Sequence, residues 1–146
     1  MAIVWILVAT LLVSAVIAIV LVRRNRKRAE ARLAEVPGTV LRSSAATAFG
    51  QESEGQTPVR GTGTLVLTDV EVAFAQWQPD RLVRLPRASI TEVDSTKTHL
   101  GKTMNDDLLR LRWSEDGSPD SIAFFVRDLD PWLHDLGGRR GVDEPE

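Results

Sequence analysis

The sequence predicts a mainly β domain of short antiparallel strands, closed by one C-terminal α-helix and preceded by one N-terminal transmembrane helix. Three observations predict it. Residues 3–22, "IVWILVATLLVSAVIAIVLV", are apolar apart from Thr10 and Ser14. From Gly61 to Val126 apolar residues recur with the period of two that marks strands. In "DLDPWLHDLGG", Leu129, Trp132, Leu133 and Leu136 fall at i, i+3, i+4 and i+7, which is one face of a helix.

The first element is a membrane span by length. At ~1.5 Å per residue, residues 3–22 reach roughly 30 Å, the thickness of a hydrocarbon core. A helix pairs every backbone polar group internally, as lipid requires, and can return the two hydroxyls to its own carbonyls. A cleaved signal peptide starts with a positive region and ends in a small-residue site after a shorter apolar core. Here no charge precedes the apolar run, and Arg23, Arg24, Arg26, Lys27 and Arg28 follow it directly. That order opposes export and, by the positive-inside rule, sets the N-terminus outside and residues 23–146 in the cytoplasm. The basic run is read as this topology signal, resting on anionic headgroups, and Trp5 as an outer interfacial anchor. No helix breaker interrupts the chain until Pro37 and Gly38, so the helix with its basic stalk is expected over 1–36.

Beyond the basic run the charge reverses. Residues 29–146 hold 13 basic and 20 acidic residues, a formal −7. Nucleic-acid binding rests on neutralising phosphates, so this balance argues against a nucleic-acid partner. The chain has no cysteine, which excludes disulfides, thiol catalysis and cysteine-ligated metals.

Residues 37–60 read as a linker or a first strand. "SSAATAFGQESEGQTPVR" (43–60) is small, polar and aperiodic, whereas "TVL" (39–41) is compatible with the start of a strand. The folded domain is expected over 61–137. Its strands are "TLVLT" (64–68), "VEVAFA" (70–75), "RLVRL" (81–85), "SITEVDS" (89–95), "LLRLRWS" (108–114) and "SIAFFV" (121–126). Leu65 and Leu67, Val72 and Phe74, then Leu109, Leu111 and Trp113, and finally Ile122, Phe124 and Val126 occupy the inward faces. Asp128 or Asp130 is placed to cap the terminal helix, and Gly137 and Gly138 end it. Residues 138–146 are expected as an acidic, frayed tail. Trp113, Phe124 and Trp132 are the expected structural core.

The succession "GTGTLVLTDVEVAF", "RLVRLPRASITEV", "LLRLRW" and "WLHDL" resembles the pleckstrin-homology-like (PH/GRAM-like) fold. The spacing of Gly63, Leu65, Leu67, Thr68 and Phe74 is its most family-like part. "LGKTMNDDLLRLRW" resembles the matching segment of short membrane-anchored bacterial PH-like proteins of unknown function. The resemblance covers roughly residues 60–137. It implies a β-sandwich or partly open barrel of about seven strands capped by the C-terminal helix, with the missing strand drawn from residues 39–50.

"HLGKTMND" (99–106) contains the Gly-Lys-Thr that ends many phosphate-binding loops. A P-loop needs a glycine five positions earlier, where Thr96 stands, and a helix afterwards. The segment is therefore expected as a hairpin loop, with Gly101 in the turn and Asn105-Asp106 helping to close it; no nucleotide or other cofactor is expected. Lys97, His99 and Lys102 make this loop (95–103) the candidate contact for a lipid headgroup or an acidic partner. Arg110 and Arg112 share a strand face and suit ion pairs with a neighbouring strand. His99 and His134 lack companions at metal-ligand spacing, and no nucleophile elbow surrounds any serine. The chain thus reads as a non-enzyme: a membrane-tethered module that binds a protein partner as an adaptor. Two alternatives are a headgroup sensor acting through the 95–103 loop and an accessory subunit of a membrane complex that docks through its membrane helix.

Overall fold

The computed structural model describes residues 1–55 and 60–141. Helix α1 spans Ala2–Ala34, followed by strands β1 (Val40–Gln51), β2 (Gly61–Thr68), β3 (Glu71–Gln76), β4 (Arg81–Pro86), β5 (Ile90–His99), β6 (Lys102–Glu115) and β7 (Ser118–Val126), and by helix α2 (Leu129–Leu136). This is the expected architecture: an N-terminal apolar helix, seven antiparallel strands and a C-terminal helix. α1 is long and apolar enough to cross a membrane: it contains an 18-residue stretch with a mean hydropathy of 3.0, none of it buried inside the protein. Thr10 and Ser14 donate to the carbonyls of Ile6 and Thr10, each at 2.8 Å.

The strands form one sheet in the order β4-β3-β2-β1-β7-β6-β5. β1 is the central strand and belongs to both halves: it pairs with β2 along most of its length and with β7 from Ala46 onward. The sheet folds about β1, so that Phe74 of β3 meets Phe124 of β7 with ring centroids 5.0 Å apart and planes tilted by 57°. A tilted pair of this kind is worth about 0.5–1.5 kcal/mol beyond its buried area. The inward set of the sequence reading assembles one core with Leu65, Leu67, Val72, Leu109, Leu111, Trp113, Ile122 and Val126. α2 closes it with Trp132 and Leu133, and the Trp132 indole donates to Ser44 Oγ at 3.2 Å. Asp128 stands at the N-cap of α2 without a side-chain capping bond, and Gly137 ends the helix in the left-handed region at φ 68°.

Three readings are settled by the fold. First, of the two alternatives for residues 37–60, a linker or a first strand, residues 40–51 form the strand β1. Its inward residues are the buried Ala46 and Ala48, too small to register as a hydrophobic pattern. The remainder of that stretch includes 56–59, outside the described residues. Second, the 95–103 segment is a hairpin with Gly101 in its turn, as expected, but the connection is shorter than a loop. β5 and β6 continue through it to a two-residue turn, Leu100-Gly101, both at positive φ (51° and 73°). Two positive φ values match the twist of the flanking strands. Cross-strand Thr98 and Thr103 bring their hydroxyls to 3.3 Å, and Asn105 and Asp106 lie within β6 rather than in the turn. Third, the tail is not frayed at its start: residues 139–141 lie along β5, as detailed below. Residues 142–146 are outside the described set.

Candidate functional site

Three places carry chemistry beyond the core. The first is the β5–β6 hairpin. His99 is only 7% exposed and its Nε2 lies 2.8 Å from the carbonyl oxygen of Gly50, so its ring joins the hairpin to β1 rather than facing outward. Lys97 is half-buried and Lys102 exposed. Of the three basic residues proposed from sequence as one contact, His99 is buried, although Lys102 is its cross-strand partner. Under the hairpin lies a cavity of about 550 Å³ lined by His99, Arg110, Arg112, Glu52 and Asp120. Its arginines are committed to acids. Arg110 Nε donates to Asp94 at 2.8 Å, and Arg112 Nη1 to Glu92 at 2.8 Å. The hydrogen bonds with Asp94 push Arg110 above its usual value, against the opposing effect of burial. Asp120 is pushed up by burial, yet it ends below the ordinary carboxylate range. The Gln51 and Ser53 side chains and the backbone amides of Ser53 and Ser121 outweigh the burial.

The second place is the free edge of the sheet at β5. β4 and β5 are the two edge strands, and an edge presents unpaired N–H and C=O groups to any extended chain. After α2 the chain turns at Gly137 and runs along this edge. Arg139 N donates to Val93 O at 3.1 Å, Ser95 N donates to Arg139 O at 3.0 Å, and Gly141 N donates to Ser95 Oγ at 2.8 Å. Asp94 and Arg139 form a parallel bridge. Glycine is needed for this approach. A Cβ on Gly141 would stand 2.1 Å from Ser95 O, and one on Gly138 would stand 2.6 Å from Val93 Cγ1. The tail covers Val93–Ser95. Beside it, between β5 and the end of α2, a groove of about 450 Å³ is lined by Arg87, Ile90, Glu92, Leu136 and Arg139.

The third place is the seam between α1 and the sheet. The cytoplasm-facing stalk expected from sequence packs across β2 and β3 instead of standing clear of the domain. Ala29 is fully buried there. Opposite it lie the outer-face residues Val66, Ala73 and Ala75, which are buried although the core is on their other side. Arg32 pairs with Asp80, and Trp77 is the wedge. Its indole donates to Thr64 Oγ1 at 3.2 Å, and the Arg26 guanidinium lies 5.8 Å from its ring centroid. Arg26 also pairs with Glu30 at 3.0 Å. Arg23, Arg24, Lys27 and Arg28 are exposed, with no ion pair among the described residues.

Sequence reasoning overlooked the tail, Trp77 and Arg60. A signal existed for the first: the glycines of "GGRRG" are spaced to touch one strand. No His, Cys, Asp and Glu grouping suited to a metal ion occurs among the described residues.

No protein-family model matches the chain, and no curated protein matches it. Among solved structures it is similar to the hSac2 domain of human phosphoinositide phosphatase Sac2. The TM-score is 0.50 with 13% identity, over 76% of this chain and 82% of that one. At this identity the likeness is one of fold: a distant β-sandwich domain.

Proposed function

We propose that the protein is a single-pass membrane protein with its N-terminus outside, presenting a cytoplasmic PH-like module that binds a protein partner as an adaptor or accessory subunit. Binding rather than catalysis is the activity. The observation that carries this reading is the β5 edge, which already accepts an extended segment: the chain's own residues 139–141, held by two backbone hydrogen bonds. Strand addition of this kind gives affinity through the main chain and selectivity through adjoining pockets. The groove beside the tail, with Ile90 and Leu136 on its walls and Arg87 at its rim, supplies such a pocket. The tail is then a built-in competitor that an incoming strand replaces. Docking of the stalk onto the sheet fixes the module at the membrane, which raises its effective concentration toward a membrane-bound partner.

The test places a photo-crosslinking residue at Glu92, beside the uncovered part of the edge, and at Glu115 of β6, off the edge strand, as an exposed control. Both are made in the full chain and in the double variant Gly138→Val with Gly141→Val, which pushes the tail off. Expected is a protein adduct at 92 and not at 115, stronger in the double variant. A peptide from the crosslinked segment should bind that variant more tightly than the parent chain. The same adducts at both positions, or none at 92 with the tail displaced, would refute strand addition at β5.

A further inference from the structure

Where α1 leaves its apolar run, a third, smaller cavity opens between the helix and the sheet. Its volume is about 290 Å³, and its eight lining residues include Val22, Asn25, Thr47, Arg60, Thr62 and Trp77, with no acid. Val22 is the last residue of the apolar run and Asn25 lies ~4.5 Å further along the axis. The headgroup layer adds roughly 5–7 Å on each side of a hydrocarbon core, so this cavity stands at headgroup depth. The inference rests on the membrane anchoring proposed above, not on the partner.

The chemistry of the walls is mixed in the way a phospholipid is mixed. Trp77 and Val22 offer apolar surface. Thr47 and Thr62, whose hydroxyls are 3.2 Å apart, offer donors, as do the Asn25 amide and Arg60. Arg60 is exposed, and its guanidinium contacts two neutral side chains. It lies 4.9 Å from the Phe49 ring centroid, and Nη2 is 3.9 Å from Met104 Sδ. It makes no ion pair among the described residues, and neither do Arg87, Arg127 and Arg139, whereas Arg42, Arg81, Arg84, Arg110, Arg112 and Arg140 are paired. A guanidinium left without a carboxylate suits a phosphodiester, which it can grip through two parallel N–H···O bonds.

We infer that the cavity between the base of the membrane helix and the sheet holds the phosphodiester of one anionic phospholipid of the adjoining leaflet. Arg60 contacts the phosphate, and Thr47, Thr62 and Asn25 contact its oxygens and glycerol. The bound lipid then forms part of the seam that orients the domain on the membrane.

The test is native mass spectrometry of the full chain released from nanodiscs containing equal parts of phosphatidylglycerol and phosphatidylcholine. Co-flotation with liposomes checks insertion separately. Expected is retention of one phosphatidylglycerol, not displaced by soluble glycerol phosphate. Retention should drop about ten-fold in Arg60→Gln, the scale of losing one charge-assisted contact. It should be unchanged in Arg127→Gln, which removes an exposed charge that does not line the cavity. A Thr47→Val with Thr62→Val variant, which keeps every charge, should also lose lipid. Equal retention of both lipids, or full retention in Arg60→Gln, overturns the site while leaving anchoring intact. Displacement by glycerol phosphate overturns the lipid assignment. A chain that does not co-float overturns the anchoring and this inference together.

Discussion

Replacing Ala29 with aspartate should release the stalk from the sheet, and the structure gives the size of the effect. Three alanine methyls (Ala29, Ala73, Ala75) and the Val66 side chain are buried at this seam. At ~0.8 kcal/mol per buried carbon, with about 1.5–2 kcal/mol for valine, they contribute roughly 4 kcal/mol, or about 1,000-fold in the docking equilibrium. The visible polar link is weaker. Arg32 and Asp80 keep 41% and 45% of their side-chain surface exposed, so solvent screening holds the pair to less than ~1 kcal/mol. Burial therefore decides the docking. A carboxylate at position 29 would be buried against Ala73 and Ala75, and keeping it in water requires the helix to lift. The chain has no cysteine, so spin labels on cysteines replacing Lys27 and Arg127, both exposed, report one distance. In nanodiscs, double electron–electron resonance should give one narrow distribution for the parent and for Asp80→Ala, and a broad one for Ala29→Asp. A narrow, unshifted distribution in Ala29→Asp would falsify the seam as described. Equal broadening in Asp80→Ala would show that the ion pair rather than burial holds it.

Trp132→Ala should lower domain stability by about 3–5 kcal/mol, read by denaturant unfolding, because the indole is 1% exposed and no neighbour can fill its volume. Trp132→Phe should lose about 1 kcal/mol, leaving Ser44 Oγ without its donor. Asp120 has a folded-state pKa below its unfolded value. Its contribution is therefore complete above the ordinary carboxylate pKa and is lost as pH falls through the lower folded value. Asp120→Asn should be less stable than the parent at neutral pH and show a shallower acid limb, and a parallel pair of pH–stability curves would sink that assignment. Gly141→Val alone should speed hydrogen exchange at the Ser95 amide by about five- to ten-fold, the scale of one net hydrogen bond, by loosening the tail. Unchanged exchange there would mean that Arg139 holds the edge by itself.

The sequence by itself determined the elements whose residues bury their own side chains. Residues 3–22 are apolar on every side, so a long apolar helix follows from composition alone. β2, β3, β6 and β7 alternate large apolar residues with others, and the same residues line the core. The i, i+3, i+4, i+7 set of α2 ends where Gly137 adopts φ 68°, as a helix-terminating glycine does. Tertiary structure alone decided the rest, and in each case because burial came from a neighbour. β1 carries alanines and serines and becomes the central strand only because β2 and β7 pair with it on both sides. His99, polar and set among lysines, is buried because the hairpin bends toward Gly50. Residues 139–141 are ordered by the unpaired edge of β5, a partner more than forty residues upstream that no local pattern announces. The stalk docks because Val66, Ala73 and Ala75 form a second apolar face on the outside of the sheet. Small residues make that face too faint to read in one dimension, while they let a helix backbone come close in three.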